Sequence, residues 1–267
     1  ANSGDEWLDS IALDMSLRTL RYDLKGERST EGGWNWILGS QGFVSSNTNE
    51  PEELADAEAP LIRDAEIQEV SGFAISSWKG SKIGVEASVR GDVRQTQWDE
   101  WNVLPGGNQR DDRLGSAALG MHWHVNEHLI SHWHVARSQR VPGLSELFSN
   151  GLHHCAYRME MGHFDLDNET SVNLEWNARW LGKALRLESS VYRHAIEDYV
   201  YIAPTANFVE DVPVFTYQAT QALFLGAEFN AQWFPVRWPH LAGQVAFAVV
   251  DATDAQNVAQ PLTPPLS

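Results

Sequence analysis

The sequence predicts an all-β protein, an antiparallel transmembrane β-barrel segment of about ten strands. The first observation behind this prediction is a repeated alternation of apolar and polar residues, as in the stretches 83–89 and 223–233. Successive side chains of a strand point to opposite faces, so each of these stretches has one apolar and one polar face. No stretch approaches the roughly 18 consecutive apolar residues of a transmembrane helix.

The alternating stretches and the turn residues between them define the strands. The strands are predicted near 8–22, 33–44, 67–78, 82–98, 112–125, 129–138, 170–180, 184–202, 218–234 and 241–252.

The second observation is that the connections between strands alternate in length. The connections 79–81, 126–128, 181–183 and 235–240 are short, whereas 45–66, 99–111, 139–169 and 203–217 are long and polar. Outer-membrane barrels have short periplasmic turns and long extracellular loops, whereas a soluble sandwich has no reason to keep its long loops at one end. The connection 23–32 fits this rule least well, because it is neither short nor long.

The third observation is two levels of aromatic residues at the strand ends. Trp34, Trp36, Trp78, Trp233 and Trp238 lie near the short turns, and Trp98, Trp101, Tyr199 and Tyr201 lie near the long loops. Two aromatic levels around an apolar band are typical of a protein surrounded by a bilayer. A soluble core packed with Trp is the alternative. The strongly polar opposite face favours the membrane, since that face can line a lumen.

Charge and composition exclude several classes of function. The chain has 267 residues and a formal net charge of −17, which argues against binding to nucleic acid. The single cysteine, Cys155, excludes an internal disulfide. The sequence contains no His-Glu-x-x-His, Gly-x-Ser-x-Gly or P-loop motif, so we expect no enzyme. The acidic stretch 50–66 would concentrate cations near the mouth of such a barrel, although such runs are usually just solvated.

Several motifs resemble one family. The stretch 136–151 reads ARSQRVPGLSELFSNG and resembles the R-A-P-S-x-x-E-L-Y segment of TonB-dependent receptors. Its S-N-G-x-H continuation, 149–153, resembles the branch of that family associated with zinc uptake. The stretches 162–170, 192–202, 219–228 and 261–266 resemble, in order, four further family motifs. His163, Phe164 and Asn168 depart from the family pattern in the first of these.

The resemblance implies a particular domain organisation. The family has a 22-stranded barrel, an N-terminal plug domain and a segment that binds an energy-coupling protein. By resemblance, residues 1–267 are a partial barrel domain that lacks the plug and several strands at each end. An open ten-strand sheet would leave unpaired edges in lipid, so we expect that it does not work alone.

The resemblance also implies a function. We expect a receptor of the Gram-negative outer membrane that takes up a scarce nutrient, such as zinc, another metal or a metal chelate. Its expected partners are outer-membrane lipid, the cargo and the TonB complex, which would act through the plug. No resident cofactor is expected, and zinc enters only as cargo. The alternatives are a siderophore, haem or cobalamin receptor of the same family, a passive porin or adhesin barrel, and a soluble all-β binding module.

Four histidines form the first candidate metal-binding group. His122, His124, His132 and His134 occupy even positions on adjacent predicted strands and therefore share the polar face. A tight turn at 126–128 would place His122 opposite His132, with Cβ atoms about 5 Å apart, close enough for two imidazoles to share a metal. The alternative is a hydrated lumen wall in which His is an ordinary polar residue.

The long loop 139–169 holds the second candidate group. Its possible ligands are His153, His154, Cys155, Glu160, His163, Asp165 and Asp167. Zinc prefers ligands of these types, and a capture site must also release its ion, which favours a mobile and incomplete cluster. We predict His153, His154 and His163 as ligands, with Asp165 or Asp167 completing the set. Cys155 is left out because an exposed thiol would oxidise outside the cell. A solvated polar loop is the alternative.

Overall fold

Twelve strands and one short helix form the secondary structure of the described residues. The computed structural model describes residues 13–51, 64–98, 108–153, 155–238, 240–256 and 258–259. In chain order the elements are β1 (Leu13–Ser29), β2 (Trp34–Pro51), β3 (Ala65–Lys79), β4 (Ile83–Trp98), β5 (Gln109–His124), β6 (Leu129–Arg140), α1 (Leu144–Phe148), β7 (Asn150–His153), β8 (Arg158–Met161), β9 (Glu169–Leu181), β10 (Leu185–Val209), β11 (Val212–Trp233) and β12 (Gly243–Asp254). No helix among these residues is long and apolar enough to cross a membrane.

All twelve strands belong to one sheet. The ten long strands are antiparallel neighbours from β1 to β6 and then from β9 to β12, which confirms the predicted meander. The β7–β8 hairpin was not predicted, and β8 pairs in parallel with β11 at Val214–Thr216. β8 occupies the edge of β11 near the start of that strand, and β12 pairs with the later part, 222–233. No pairing joins β1 to β12 in the described part of the chain, so the sheet is open there.

The register of the ladder sorts side chains onto two faces. The predicted β5–β6 hairpin is confirmed, because His122 opposes His132 and Met121 opposes Trp133. The apolar face is defined by rows of paired residues such as Leu119, Val135 and Leu174. The polar face is defined by the rows between them.

The apolar face is too exposed to be a surface in contact with water. Leu38 is 63% exposed, Val89 58%, Leu119 53% and Trp133 51%. An apolar surface that extends over many strands marks a membrane or protein interface rather than a solvated surface. The alternation of this face with a polar face is the pattern of a membrane barrel wall.

Two of the predicted connections are mostly strand in the structure. The stretch 203–217 is not a loop, because β10 and β11 continue through it to a turn at Glu210 and Asp211. Both turn residues have positive φ, 48° and 65°, as a two-residue type I′ hairpin requires. The stretch 23–32 is mostly strand, with its turn at 30–33. A crossing strand needs about 9–11 residues, so the 25 residues of β10 extend well beyond a bilayer.

Only the aromatic level beside the short turns agrees with the prediction. Trp34 and Trp36 stack with ring centroids 5.7 Å apart, and Trp34, Trp36 and Trp233 are all more than 40% exposed. In the upper level, Trp98 instead packs on Phe148, and Tyr199 packs on Phe224. Trp101 lies outside the described residues.

A β-bulge explains the wrong assignment of Tyr199 and Tyr201. The register with β11 shifts between Ile196 and Tyr199, and Asp198 in this bulge has a φ of 55°. One extra residue on one strand reverses which later positions face each side. Tyr199 and Tyr201 therefore lie on the polar side, opposite Thr220 and Gln218.

The two faces predict opposite effects of the same substitution at adjacent positions. In the intact protein, Leu119→Arg should destabilise the barrel by about 2–4 kcal/mol, because it places a charge on the lipid side. Ala118→Arg should cost far less, since its cross-strand neighbours Ser88 and Ala136 are small and lie on the polar face. Unfolding by urea in bilayers measures both, and equal losses would contradict the assignment of faces.

Candidate functional site

The polar face carries a wall of histidines near the β5–β6 turn. The imidazole rings of His122 and His132 lie with centroids 6.2 Å apart, and those of His122 and His124 lie 5.7 Å apart. Opposed positions on antiparallel strands bring the first pair together, and the period-two alternation brings the second pair onto one side. The predicted juxtaposition of His122 and His132 is confirmed.

Local chemistry fixes this histidine pair in place. The Asn126 side-chain oxygen accepts hydrogen bonds from the backbone N–H groups of His128 and Leu129, at 2.8 and 2.9 Å. This contact holds the turn, and the turn sets the register of the two strands. On the other side of His122, the opposing residue is Gly84, where a Cβ would collide with the imidazole ring. A glycine at that position lets the ring lie flat over the neighbouring strand.

The wall continues across the next two strands. Glu175 opposes His134, and its Oε1 lies 3.4 Å from Nε2 of His194. Tyr192 stacks on His194 with ring centroids 4.9 Å apart, and it covers Gly226 of the neighbouring strand. Five of the ten histidines of the chain therefore face the same side of the sheet formed by β5, β6, β9 and β10. These five residues form the histidine wall: His122, His124, His132, His134 and His194.

A groove beside this wall offers charges of both signs. It has a volume of about 850 Å³, and its polar lining includes His132, Asn177, Arg179, Glu188 and Glu228. Arg179 and Glu188 form an ion pair at 3.0 Å, but each side chain is more than half exposed. An exposed pair contributes little stability, so both charges are available to a bound ligand.

The segment between β6 and β9 is a docked structure rather than the mobile polar loop that was predicted. Leu147 and Phe148 of α1, together with Leu166 and Val200, form a buried cluster. The Glu146 carboxylate accepts the N–H of Gly143 at 2.6 Å, which caps the first turn of the helix. Apolar burial and capping together account for the fixed position of this segment.

Two arginines on the strands tie this segment to the sheet. Arg140 contacts Glu146 at 2.8 Å and Glu169 at 2.7 Å. The motif that carries the family resemblance therefore fixes α1 to the start of β9. Arg110 donates to the Leu166 carbonyl at 2.7 Å and to the Asn168 side chain at 3.0 Å. Sequence reasoning missed both arginines. The motif around Arg140 and Glu146 was the only feature that could have indicated one of them.

Glu160 holds the β7–β8 hairpin against β11. Its carboxylate is 5% exposed, lies 2.7 Å from Arg158 and accepts a hydrogen bond from the Tyr217 hydroxyl at 3.2 Å. Tyr217 lies in the part of β11 beyond the bilayer, and burial, together with the Glu160 carboxylate, raises its pKa. The phenol therefore keeps its proton and remains a donor. Nδ1 of His153 lies 3.4 Å from the same carboxylate.

The structure does not bring the predicted loop ligands together. His153 lies beside Glu160, whereas His163, Asp165 and Asp167 are exposed in the descending part of the segment. His154 lies outside the described residues. In the ranges given above, no three His, Cys, Asp or Glu side chains are close enough to hold one metal ion. Joint coordination by the loop residues stays a prediction, and it would require the segment to rearrange.

Comparison with known proteins identifies the family. A model of the TonB-dependent receptor-like β-barrel family matches residues 2–267. The chain therefore belongs to the TonB-dependent receptor family, as its motifs indicated.

Solved structures of receptors share the fold. The copper transporter OprC matches with a TM-score of 0.79 and 16% identity over 95% of this chain and 40% of its own. The FrpB iron transporter from Neisseria meningitidis (F3-3 variant) matches with a TM-score of 0.64 and 11% identity, over 92% of this chain and 37% of the transporter. The ferric yersiniabactin uptake receptor FyuA from Yersinia pestis matches with a TM-score of 0.57 and 13% identity, over 92% of this chain and 37% of the receptor. The chain thus spans about two fifths of the length of these receptors.

The contacts of Glu160 predict how the hairpin responds to mutation. Glu160→Gln should weaken the contacts with Arg158 and Tyr217, because each is a hydrogen bond to a charged group worth about 1.5–3 kcal/mol. Amide exchange across 158–161 in the intact receptor should accelerate at least about tenfold. Asp165→Asn removes an exposed carboxylate from the same segment and serves as the control. Unchanged exchange in the Glu160 variant would show that the hairpin is held by something else.

Proposed function

We propose that this chain is part of an outer-membrane uptake receptor for a transition-metal ion or a metal chelate, with zinc the first cargo to test. Membership of the TonB-dependent receptor family supports the receptor class over a passive porin, an adhesin or a soluble binding module. The observation that carries the metal proposal is the histidine wall of the polar face.

The histidine wall suits a metal that must move. Imidazole is a good ligand for zinc and other late transition metals, and a stable tetrahedral zinc site uses four ligands. The pair of His122 and His132 supplies two ligands. The ring centroid of His124 lies 5.7 Å from that of His122, so His124 can replace either of them as a ligand. A surface of incomplete ligand sets binds an ion weakly at several points and lets it pass along.

The proposed route begins at the outer loops and ends near the short turns. The segment 141–168 stands at the long-loop end, where a cargo from outside would arrive first, and His153, His154 and His163 remain its proposed ligands. The histidine wall lies further along the polar face, with His122 and His132 close to the β5–β6 turn. Energy for passage would come from the TonB complex, an expectation that rests on the family alone. The proposed location is the Gram-negative outer membrane.

A metal chelate is the second candidate cargo. The groove beside His132 has a volume of about 850 Å³, far more than one ion needs. Arg179 and Glu188 at its edge offer a cation and an anion, which an organic chelator with carboxylate or amine groups could contact. Siderophores, haem and cobalamin belong to this class of cargo.

Zinc titration of the intact receptor tests the metal proposal. The double variant His122→Ala/His132→Ala should weaken zinc binding at least about tenfold, because loss of a residue that only supports a metal ligand already costs on the order of 10–100-fold in affinity. The triple variant at His153, His154 and His163 reports the outer loop separately. His240, which lies in the connection between β11 and β12, provides the matched control as His240→Ala.

The outcomes of this titration separate the candidates. Loss of binding only in the double variant assigns the histidine wall, and loss only in the triple variant assigns the outer loop. Unchanged zinc affinity in both variants would reject a bare ion as cargo. In that case, binding of a ferric siderophore or of haem that weakens in Arg179→Gln would support the chelate, and its absence would reject metal uptake through this face.

A further inference from the structure

Arg137 and Arg193 are two of the arginines on the apolar face, where a charge is costly unless it has a partner. Arg193 lies between Leu174 and Leu225 on the neighbouring strands, and Arg137 lies between Ala117 and Val172. Both side chains are exposed. An arginine on the lipid side of a barrel costs about 2–4 kcal/mol at mid-depth and close to nothing near an interface. The depth and the partner of these residues therefore decide what they do.

Both arginines lie at the same height, near the outer boundary of the apolar band. Arg137 is eight residues from Leu129, where β6 begins, and Arg193 is eight residues from Leu185, where β10 begins. Eight residues rise about 27 Å along a strand, and a tilt of about 35–45° reduces this to roughly 20 Å of height within a band about 25 Å tall. The guanidinium groups can therefore reach the head groups of the leaflet on the long-loop side.

Neither guanidinium is fully occupied by the protein. Arg137 donates to the backbone carbonyl of Gly115 at 3.1 Å, which leaves its other N–H groups free to bind. Arg193 makes no hydrogen bond or ion pair with any described residue. The nearest acid in its row, Asp251, lies beyond Leu225 and does not reach it. A planar guanidinium with free N–H groups is well suited to a phosphate, which it can contact through two bonds at once.

An apolar groove runs down the face from Arg193. It has a volume of about 500 Å³, and its lining on this face includes Leu119, Met121, Val135, Leu174 and Val191. Trp133 and Trp176, with ring centroids 6.0 Å apart, line its deeper part. A guanidinium at the top of an apolar groove matches a molecule with a phosphate head and an acyl chain.

We propose that Arg137, Arg193 and this groove form a binding site for a phosphorylated glycolipid of the outer leaflet, of the lipid A type. A phosphate of the lipid contacts the two guanidinium groups, and an acyl chain lies in the groove towards the Trp133–Trp176 pair. The site holds a fixed lipid against β6, β9 and β10. Of these strands, β6 and β10 carry three of the wall histidines, His132, His134 and His194, on their other face. The site does not depend on the cargo of the receptor.

Native mass spectrometry of the intact receptor in detergent, with added diphosphoryl lipid A, tests the site. Arg137→Gln and Arg193→Gln should each lower retention of this lipid about fivefold, the effect of one basic residue near an anionic lipid. Arg193→Lys keeps the charge and should retain most of the binding. Arg21→Gln removes the same charge from the polar side of β1 and should change nothing. Lipid A stripped of its phosphates should bind weakly to every variant.

Three results would overturn the proposal. The first is equal retention of diphosphoryl lipid A by the Arg137→Gln/Arg193→Gln double variant and the unmodified receptor. The second is displacement of the lipid by millimolar inorganic phosphate, which would indicate an anion site without a lipid component. The third is a matched loss of stability in Arg193→Gln and Asp251→Asn with unchanged lipid retention, which would indicate an ion pair across Leu225.

Discussion

The structure depends on one constraint, the register of the antiparallel ladder. Each backbone N–H and C=O of a lipid-exposed strand must bond to a neighbouring strand, because hydrocarbon offers no alternative partner. A shift of one residue would move every apolar side chain to the wrong face. Short connections with defined chemistry hold the register, as the side chain of Asn126 does between β5 and β6. The position of His122 opposite His132 follows from that register.

The same ladder also produces two features that a plain barrel wall lacks, the bulge in β10 and the segment docked on β11. The bulge at Asp198 reverses the facing of later residues in β10, and it turns Tyr199 towards Phe224. Above that bulge the strands leave the bilayer, and the free upper edge of β11 accepts the β8 strand. The docked segment thereby covers an edge that would otherwise expose unpaired backbone groups. Arg110, Arg140 and Glu160 fasten it with charged hydrogen bonds.

Much of this architecture could be predicted from the sequence, for physical reasons. Alternation with period two is a local property, so the ten long strands and the two faces were predictable from residues such as those of 223–233. The His122–His132 pair was predictable because only a short turn separates its strands. The bulge was not, since one extra residue leaves no local pattern. The docking of Leu147 and Phe148 on Val200 depends on contacts distant in sequence, as does the separation of His153 from His163.

One antiparallel ladder sorts the residues of this chain into a lipid face and a lumen face, and the bulge at Asp198 reverses that order. This order of faces can be measured by a scan of single nitroxide labels from 189 to 203 in the intact receptor. Accessibility to oxygen and to a water-soluble nickel chelate would be recorded at each position. Oxygen accessibility should peak at odd positions up to 195, and labels at 199 and 201 should then be accessible to the nickel chelate. Continued peaks at 199 and 201, or no alternation at all, would contradict it.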